Sequence, residues 1–96
     1  MINGTEQYEV KHNNNLAYST TKVLFKNTTI VEFNHKAIHL NNGGWFTAST
    51  KQRMNKASKD FNLRFEVYQK DYVWYCNYDN KIFSFTGNIL NLPRIS

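Results

Sequence analysis

The stretch from Arg64 to Thr86 constrains the fold most, because it fits a three-stranded antiparallel meander in a single register. Two-residue turns are predicted at Lys70 and Asp71 and at Asp79 and Asn80, since Asp and Asn tolerate the left-handed backbone of tight hairpins. Strand side chains alternate between the two faces of a sheet. One face is therefore predicted to carry the core residues Phe65, Val67, Trp74, Cys76, Phe83 and Phe85.

In the same register Val67 pairs with Trp74, Trp74 with Phe85, and Cys76 with Phe83. The opposite face then carries Arg64, Glu66, Tyr68, Val73, Tyr75, Asn77, Ile82 and Ser84. A helix covers one side of a sheet, so this second face is either covered by the N-terminal strands or exposed. An exposed face with these aromatic residues is typical of a partner surface, including a homodimer interface.

Composition favours a small, strand-rich domain with a basic surface. The 96 residues suffice for one modest core. Aromatic residues make up 16% of the chain, and they fit a pleated sheet better than a helical bundle. The net charge of +5 is compatible with nucleic acid, an anionic surface or an acidic protein partner, and most of the excess lies between Lys51 and Arg64.

The chain is predicted to form one domain over residues 16–96, preceded by a polar and frayed segment over residues 1–15. The single cysteine, Cys76, excludes an internal disulfide and lies on the predicted core face. No segment approaches the roughly 20 apolar residues that span a bilayer, and the N-terminus lacks a signal pattern. We therefore expect a cytoplasmic protein without a membrane partner.

Three further strands are predicted before the helix. The segment Lys22–Lys26 alternates, and Thr29–Phe33 and Lys36–Leu40 form a hairpin around Asn34 and His35. In that hairpin we expect Val31 opposite Ile38 and Thr29 opposite Leu40. Turn residues over 41–44 end this part of the chain.

One amphipathic helix is predicted from Ser49 to Phe61, with Thr47 or Ser49 as its N-cap and Asn62 at its C-terminus. Its apolar stripe consists of Thr50, Met54, Ala57 and Phe61. The apolar residues of the tail, up to Pro93, are expected to pack back on the domain and end in a loop. The predicted fold is thus α+β, with antiparallel hairpins in the order β-β-β-α-β-β-β packed on one helix.

The helix start is the first candidate site. Ser49 and Thr50 place hydroxyls where free N–H groups and the helix dipole attract anions, and Lys51 and Arg53 add charge. These residues suit a phosphate, although ordinary capping of a solvated helix is the more common reason for such a pattern. The chain has no GxxxxGK[ST] motif, so nucleotide hydrolysis is not supported.

The basic residues of the helix form the second candidate, with Lys51, Arg53, Lys56 and Lys59 following a phosphate backbone. Trp45 and Phe46 precede the helix, where they either stack on bases or close the end of the core. The alternative is a protein-binding surface built from Tyr68, Tyr75 and Trp45.

Catalysis and metal binding are not expected. His35 and His39 are four residues apart, but they fall on a turn and a strand rather than on one helix face. Cys76 points inward and the seven acidic residues are scattered, so no nucleophile–base pair or acid pair assembles. We therefore expect no enzyme activity, no metal and no cofactor.

The segment Leu24–Asn55 resembles small uncharacterised proteins of tailed bacteriophages. The extended segment Leu24–Val31 precedes a second strand, and the helix opens with Phe46–Thr50 followed by Lys51–Asn55. In this family the helix often carries a His where Arg53 stands, so no role of that His is transferred. The resemblance implies an accessory protein acting in an infected bacterium, and it implies no activity.

Two function classes follow from these patterns. The leading one is a non-enzymatic phage-type protein that binds nucleic acid through the basic helix, so that replacing Lys56 and Lys59 with Glu should abolish a salt-sensitive interaction. The alternative is an interaction module that binds and inhibits a host defence or polymerase protein, with little dependence on salt. A third, a structural subunit of a larger assembly, would be indicated by self-association.

Overall fold

The computed structural model describes residues 9–14 and 19–94, which form eight strands and one helix. The elements are β1 (Glu9–Asn14), β2 (Ser19–Phe25), β3 (Thr28–Phe33), β4 (Ala37–Asn41), α1 (Ala48–Asp60), β5 (Phe65–Lys70), β6 (Val73–Tyr78), β7 (Lys81–Ser84) and β8 (Ile89–Pro93). All strand pairs are antiparallel, in a five-stranded sheet ordered β1-β2-β3-β4-β8 and a three-stranded sheet ordered β5-β6-β7. The predicted α+β class is confirmed.

The described chain has one strand more than predicted before the helix and one strand more than predicted after it. The tail is not a loop, because β8 pairs with β4 and buries Leu90 and Leu92, while Pro93 ends the strand. The frayed segment predicted over residues 1–15 falls largely on residues 1–8 and 15, outside the described part. Its described portion, Glu9–Asn14, is paired with β2.

The turn predicted at Asp79 and Asn80 is confirmed, with positive φ at both residues. The other predicted turn is wrong by one residue, because the β5–β6 turn consists of Asp71 and Tyr72. When a two-residue turn moves by one position along the chain, the residue opposite each strand residue changes by two positions. A shift of two residues leaves each side chain on its face, so the predicted core face and outer face are unchanged.

The β3–β4 hairpin differs from its prediction in the same way. Val31 lies opposite Leu40 and Phe33 opposite Ile38, rather than Val31 opposite Ile38. The connection is longer than two residues, since the Asn34 side chain accepts hydrogen bonds from the N–H groups two and three residues later. An Asx turn of this kind again leaves the inward-facing set unchanged.

A β-bulge lies between β2 and β3, where the pairing shifts at Val23 and Leu24. Two successive residues of β3, Ile30 and Val31, are both fully buried, which regular alternation does not allow. The extra residue turns both side chains towards the core.

Helix α1 begins after Thr47, whose hydroxyl accepts the N–H of Thr50 at 3.3 Å. It ends in a Schellman motif. Asn62 adopts φ 55°, and the N–H of Leu63 donates to the carbonyl of Ser58 at 2.8 Å. The predicted stripe is largely confirmed, since Thr50, Met54 and Ala57 are buried while Phe61 is the C-cap.

The helix lies along the free edge of β5 and occupies the place of a fourth strand. The Asn55 side chain donates to the carbonyl of Val67 and accepts its N–H, at 3.0 and 2.7 Å. Ser58 makes the same pair of bonds with Phe65, at 2.7 and 2.9 Å. These side chains satisfy backbone groups that an open edge would leave unpaired.

One core joins both sheets and the helix. The largest side chains that are fully buried are Phe25, Ile30, Ile38, Leu40, Met54 and Leu92. Because α1 contacts β2 and β3 as well as β5, the helix links the two sheets. Arg53 of the helix lies over the ring of Phe25, the last residue of β2.

Candidate nucleic-acid interface

The loop between β4 and α1 is fixed by its own side chains. Asn41 accepts the N–H of Gly43, and Asn42 accepts the N–H of Gly44, both at 2.8 Å. The N–H of Trp45 then donates to the carbonyl of Asn42 at 2.9 Å. Two successive Asx turns therefore set the direction in which the chain leaves the loop.

The loop is also anchored to its neighbours. Asn42 is fully buried, and its N–H donates to the carbonyl of Asn88 at 3.0 Å. At Gly43, where φ is +63°, a Cβ atom would lie 2.7 Å from Cγ2 of Thr28. Only glycine allows this close approach at this backbone conformation.

Trp45 and Phe46 follow this loop, and both are about half exposed, at 45% and 50%. The Lys26 ammonium lies 5.1 Å from the centre of the Trp45 ring. Phe46 packs edge-on against Trp74, with ring centres 5.5 Å apart. We call the surface formed by Lys26, Trp45, Phe46 and Lys51 the cation–aromatic surface.

Lys51 completes this surface from the first turns of α1. Its ammonium lies 5.1 Å from the centre of the buried Trp74 ring and donates to the side-chain carbonyl of Gln69 at 3.0 Å. Neither contact removes the positive charge, because the ring and the amide are both neutral. The first turn of α1 contains no acidic residue, and the helix dipole adds positive potential there.

Arg53 is connected to the same surface through Phe25. Its guanidinium carbon lies 5.4 Å from the centre of the Phe25 ring, and the Lys26 ammonium lies 5.3 Å from it. The predicted cations Lys51 and Arg53 thus flank the helix start, and Lys26 joins them from the β2–β3 turn. Lys26 was missed from sequence because it lies far from Trp45 along the chain.

Two buried donors beneath this surface have no hydrogen-bond partner among the described residues, the side-chain amide of Asn42 and the indole N–H of Trp74. Buried donors are nearly always paired in folded proteins. The carbonyl of Asn42 accepts the N–H of Trp45, and the Trp74 ring contacts Phe46. Both residues with an unpaired donor therefore contact the exposed aromatic pair.

The hydroxyls predicted at the helix start differ in their access to solvent. Ser49 is exposed in the first turn. Thr50 is fully buried, and its hydroxyl lies 3.0 Å from that of Thr47. Thr50 therefore supports the cap from inside and does not belong to the surface, contrary to the prediction that it contacts a ligand.

Lys56 and Lys59 lie elsewhere on the helix. They are five and eight residues beyond Lys51, or about 7.5 and 12 Å along the helix axis. Lys56 forms an ion pair with Asp60 at 2.7 Å, and both side chains line a depression of about 370 Å³ together with Lys59. The four basic residues of the helix therefore lie in two places. Lys51 and Arg53 lie near its start, and Lys56 and Lys59 lie further along.

The alternative surface is the outer face of the β5-β6-β7 sheet. Tyr68 lies directly opposite Tyr75, and their rings stack with centres 5.7 Å apart. Ile82 on the same face is 66% exposed. Trp45 was predicted to share this surface. It lies instead beside Lys26, which belongs to the β2–β3 turn.

The remaining candidate residues are Cys76 and the histidines. Cys76 is fully buried, and burial raises the pKa of its thiol to about 12, with the Glu66 carboxylate adding to the increase. Within residues 9–14 and 19–94, no three His, Cys, Asp or Glu side chains gather where a metal ion would bind. His39 instead lies 2.6 Å from the Asn91 side-chain oxygen on the neighbouring strand.

Within the described part of the chain, no helix has the length and apolar character needed to cross a membrane. Comparisons with curated proteins and with solved structures gave no match. The family model described as Kyanoviridae Gp96 protein matches residues 2–91, which is nearly the whole chain. The predicted resemblance to a tailed-phage protein family is confirmed, and the chain belongs to the Kyanoviridae Gp96 protein family.

Proposed function

We propose that this phage protein is a non-enzymatic accessory protein that binds nucleic acid in the cytoplasm of the infected bacterium. The binding site is the cation–aromatic surface, with Arg53 and Ser49 at its margin. The observation that carries the proposal concerns two half-exposed aromatic side chains: Trp45 contacts Lys26, and Phe46 packs on the Trp74 ring over which Lys51 lies. Among the described residues, both lysines contact only neutral groups.

Both halves of a nucleotide have a counterpart on this surface. The two lysines offer charge to phosphate groups, which supply most of the affinity in non-specific binding. Trp45 and Phe46 offer aromatic surface to bases, whose stacking is tolerant of sequence. The fixed loop lowers the entropic cost of binding, because the aromatic side chains are already positioned.

The second lysine pair, Lys56 and Lys59, is the competing location. Asp60 partly neutralises Lys56, and neither lysine has an exposed aromatic neighbour on the helix. The prediction that Lys56 and Lys59 carry the binding is therefore tested with a second double variant, described below.

Salt dependence gives a first measure of the number of phosphate contacts. Single strands lose affinity with a slope of about −0.7 per neutralised phosphate in a logarithmic plot. Two or three contacts, made by Lys26, Lys51 and Arg53, predict a slope of about −1.4 to −2.1. Between 50 and 200 mM salt, affinity should then fall by roughly 7- to 20-fold.

Two matched double variants locate the site: Lys26→Glu with Lys51→Glu, and Lys56→Glu with Lys59→Glu. Each lowers the formal net charge from +5 to +1, because every Lys→Glu change removes two charges. Long-range attraction is therefore reduced equally in both. Binding of labelled DNA and RNA oligonucleotides is followed by fluorescence anisotropy, and circular dichroism checks the fold.

We expect the Lys26 and Lys51 variant to lose at least tenfold more affinity than the Lys56 and Lys59 variant. Equal losses would mean that net charge alone matters. A larger loss in the Lys56 and Lys59 variant would show that the site lies at these two lysines, further along the helix. Absence of wild-type binding at 50 mM salt would refute nucleic-acid binding.

The second candidate is an interaction module that binds and inhibits a host protein through the outer face of the small sheet. The stacked Tyr68 and Tyr75 and the exposed Ile82 favour it, because aromatic side chains are enriched at the centres of interfaces. Replacing both tyrosines with Ser should remove such binding with little dependence on salt. Sedimentation of the free protein would reveal a homodimer instead.

A further inference from the structure

We infer that the cation–aromatic surface takes single-stranded nucleic acid and holds two adjacent nucleotides, each on its own aromatic–lysine unit. This inference rests on the proposed function and narrows it to one class of ligand. It is carried by the arrangement of the two half-exposed side chains, Trp45 and Phe46, which are neighbours in sequence. Lys26 contacts Trp45 directly, whereas Lys51 lies over Trp74, the ring on which Phe46 packs.

The first unit consists of Trp45 and Lys26. The ammonium lies 5.1 Å from the centre of the indole ring, which remains 45% exposed. Trp offers the largest surface for base stacking, and the neighbouring ammonium is available to the phosphate of the same nucleotide. The unit is assembled from two loops, the β2–β3 turn and the β4–α1 connection.

The second unit consists of Phe46 and Lys51, joined through Trp74. Phe46 is 50% exposed and meets the Trp74 ring at 82°, so its faces are not covered by a parallel stack. Lys51 lies over the other ring of this pair, 5.1 Å from its centre. The second unit therefore also combines a half-exposed ring with a lysine, although its lysine reaches that ring through Trp74 and not directly.

Duplex nucleic acid does not fit this arrangement. In a duplex, the faces of each base are covered by neighbouring base pairs, so an aromatic side chain reaches them only after unstacking. Single strands present their bases freely, and proteins that bind them combine aromatic platforms with positive charge. Two aromatic platforms on adjacent residues indicate two neighbouring bases of one strand.

The proposed ligand is identified by comparing three oligonucleotides of equal phosphate number: a single strand, a hairpin duplex whose loop is a linker without bases, and a fully abasic strand. The abasic strand retains the phosphates and removes both stacks. DNA and RNA single strands are both measured, because stacking and charge alone do not select the sugar. Anisotropy at 50 mM salt gives the affinity of wild-type protein for each.

We expect the intact single strand to bind at least about tenfold more tightly than the hairpin and the abasic strand, since two stacks are lost. Trp45→Leu should weaken binding of the intact strand by about 5- to 150-fold, and Trp45→Phe by much less. Neither change should alter affinity for the abasic strand. Tyr68→Leu, on the other face of the small sheet, is the matched control and should have no effect.

Failure of the inference is distinguishable from failure of the proposed function. Equal binding of intact and abasic strands, or tighter binding of the hairpin, would overturn the single-strand assignment and leave nucleic-acid binding in place. An equal loss for Trp45→Leu and Trp45→Phe would overturn the stacking role of Trp45. Absence of binding to all three oligonucleotides would refute both.

Discussion

Replacing Ser58 with Ala tests whether the helix truly substitutes for a strand at the edge of β5. The side chain of Ser58 is buried, and its hydroxyl donates to the carbonyl of Phe65 and accepts its N–H. Alanine removes one oxygen atom and leaves the shape of the interface nearly unchanged. Both backbone groups of Phe65 then lose their partner without gaining water.

The expected cost follows from these two groups. A buried donor or acceptor left unpaired costs about 1–3 kcal/mol, so the pair costs roughly 2–6 kcal/mol. Alanine is the better helix former and recovers about 0.5 kcal/mol. We therefore predict a net loss of about 1.5–5.5 kcal/mol. For a domain of this size, this corresponds to a fall in Tm of roughly 6–40 °C.

Ser49→Ala is the matched control, because Ser49 is exposed in the first turn of the same helix. Chemical denaturation and thermal melting of both variants give the difference in free energy of unfolding. The control should change stability by less than about 0.5 kcal/mol. A loss below about 0.5 kcal/mol for Ser58→Ala would refute the edge-pairing argument.

Three further changes test individual features. Gly43→Ala should destabilise by about 1–3 kcal/mol, and by more than Gly44→Ala, because only the former meets Thr28; Thr28→Ala should restore part of the loss in urea titrations. Tyr72→Gly should raise stability by about 0.5–1 kcal/mol, since Tyr72 is 94% exposed at φ 68°; no gain in Tm would contradict this. The Cys76 thiol should resist alkylation at pH 8 until the protein unfolds. Because folding raises the pKa of Cys76 from 9.0 to about 12, stability should fall as pH rises through that interval; rapid labelling of native protein would disprove its burial.

The hairpins show how far sequence patterns determine a sheet. The faces of β5 and β6 were predicted from alternation alone, and the turn at Asp79 and Asn80 followed from residue type. The position of the turn between β5 and β6 could not be predicted from residue type, because Tyr72 is a poor residue for positive φ. The observed register places Tyr68 opposite Tyr75, and this aromatic pair offsets the backbone cost.

The candidate site was predicted in part. Trp45, Lys51 and Arg53 were identified from their position around the helix start. Lys26 was not, since its place beside Trp45 depends on how two loops meet in the folded chain. Thr50 was assigned to the surface because a hydroxyl near a helix start suits an anion, although the apolar stripe already predicted its burial.

Polar residues that pair with backbone are the hardest to predict. Asn55 and Ser58 fit a solvated helix face by residue type, yet both bond to β5. Their role depends on the position of the β5 edge, which local periodicity does not contain. The same holds for Ile30, whose burial follows from a bulge set by the pairing of β2 and β3.

The most direct test of the function is the affinity of wild-type protein for a labelled single-stranded oligonucleotide, measured by anisotropy beside its abasic counterpart at 50 and 200 mM salt. We predict micromolar or tighter binding of the intact strand at 50 mM salt, with a loss of roughly 7- to 20-fold at 200 mM. The abasic strand should bind at least about tenfold more weakly. Absence of binding of the intact strand at 50 mM salt would contradict the proposed function.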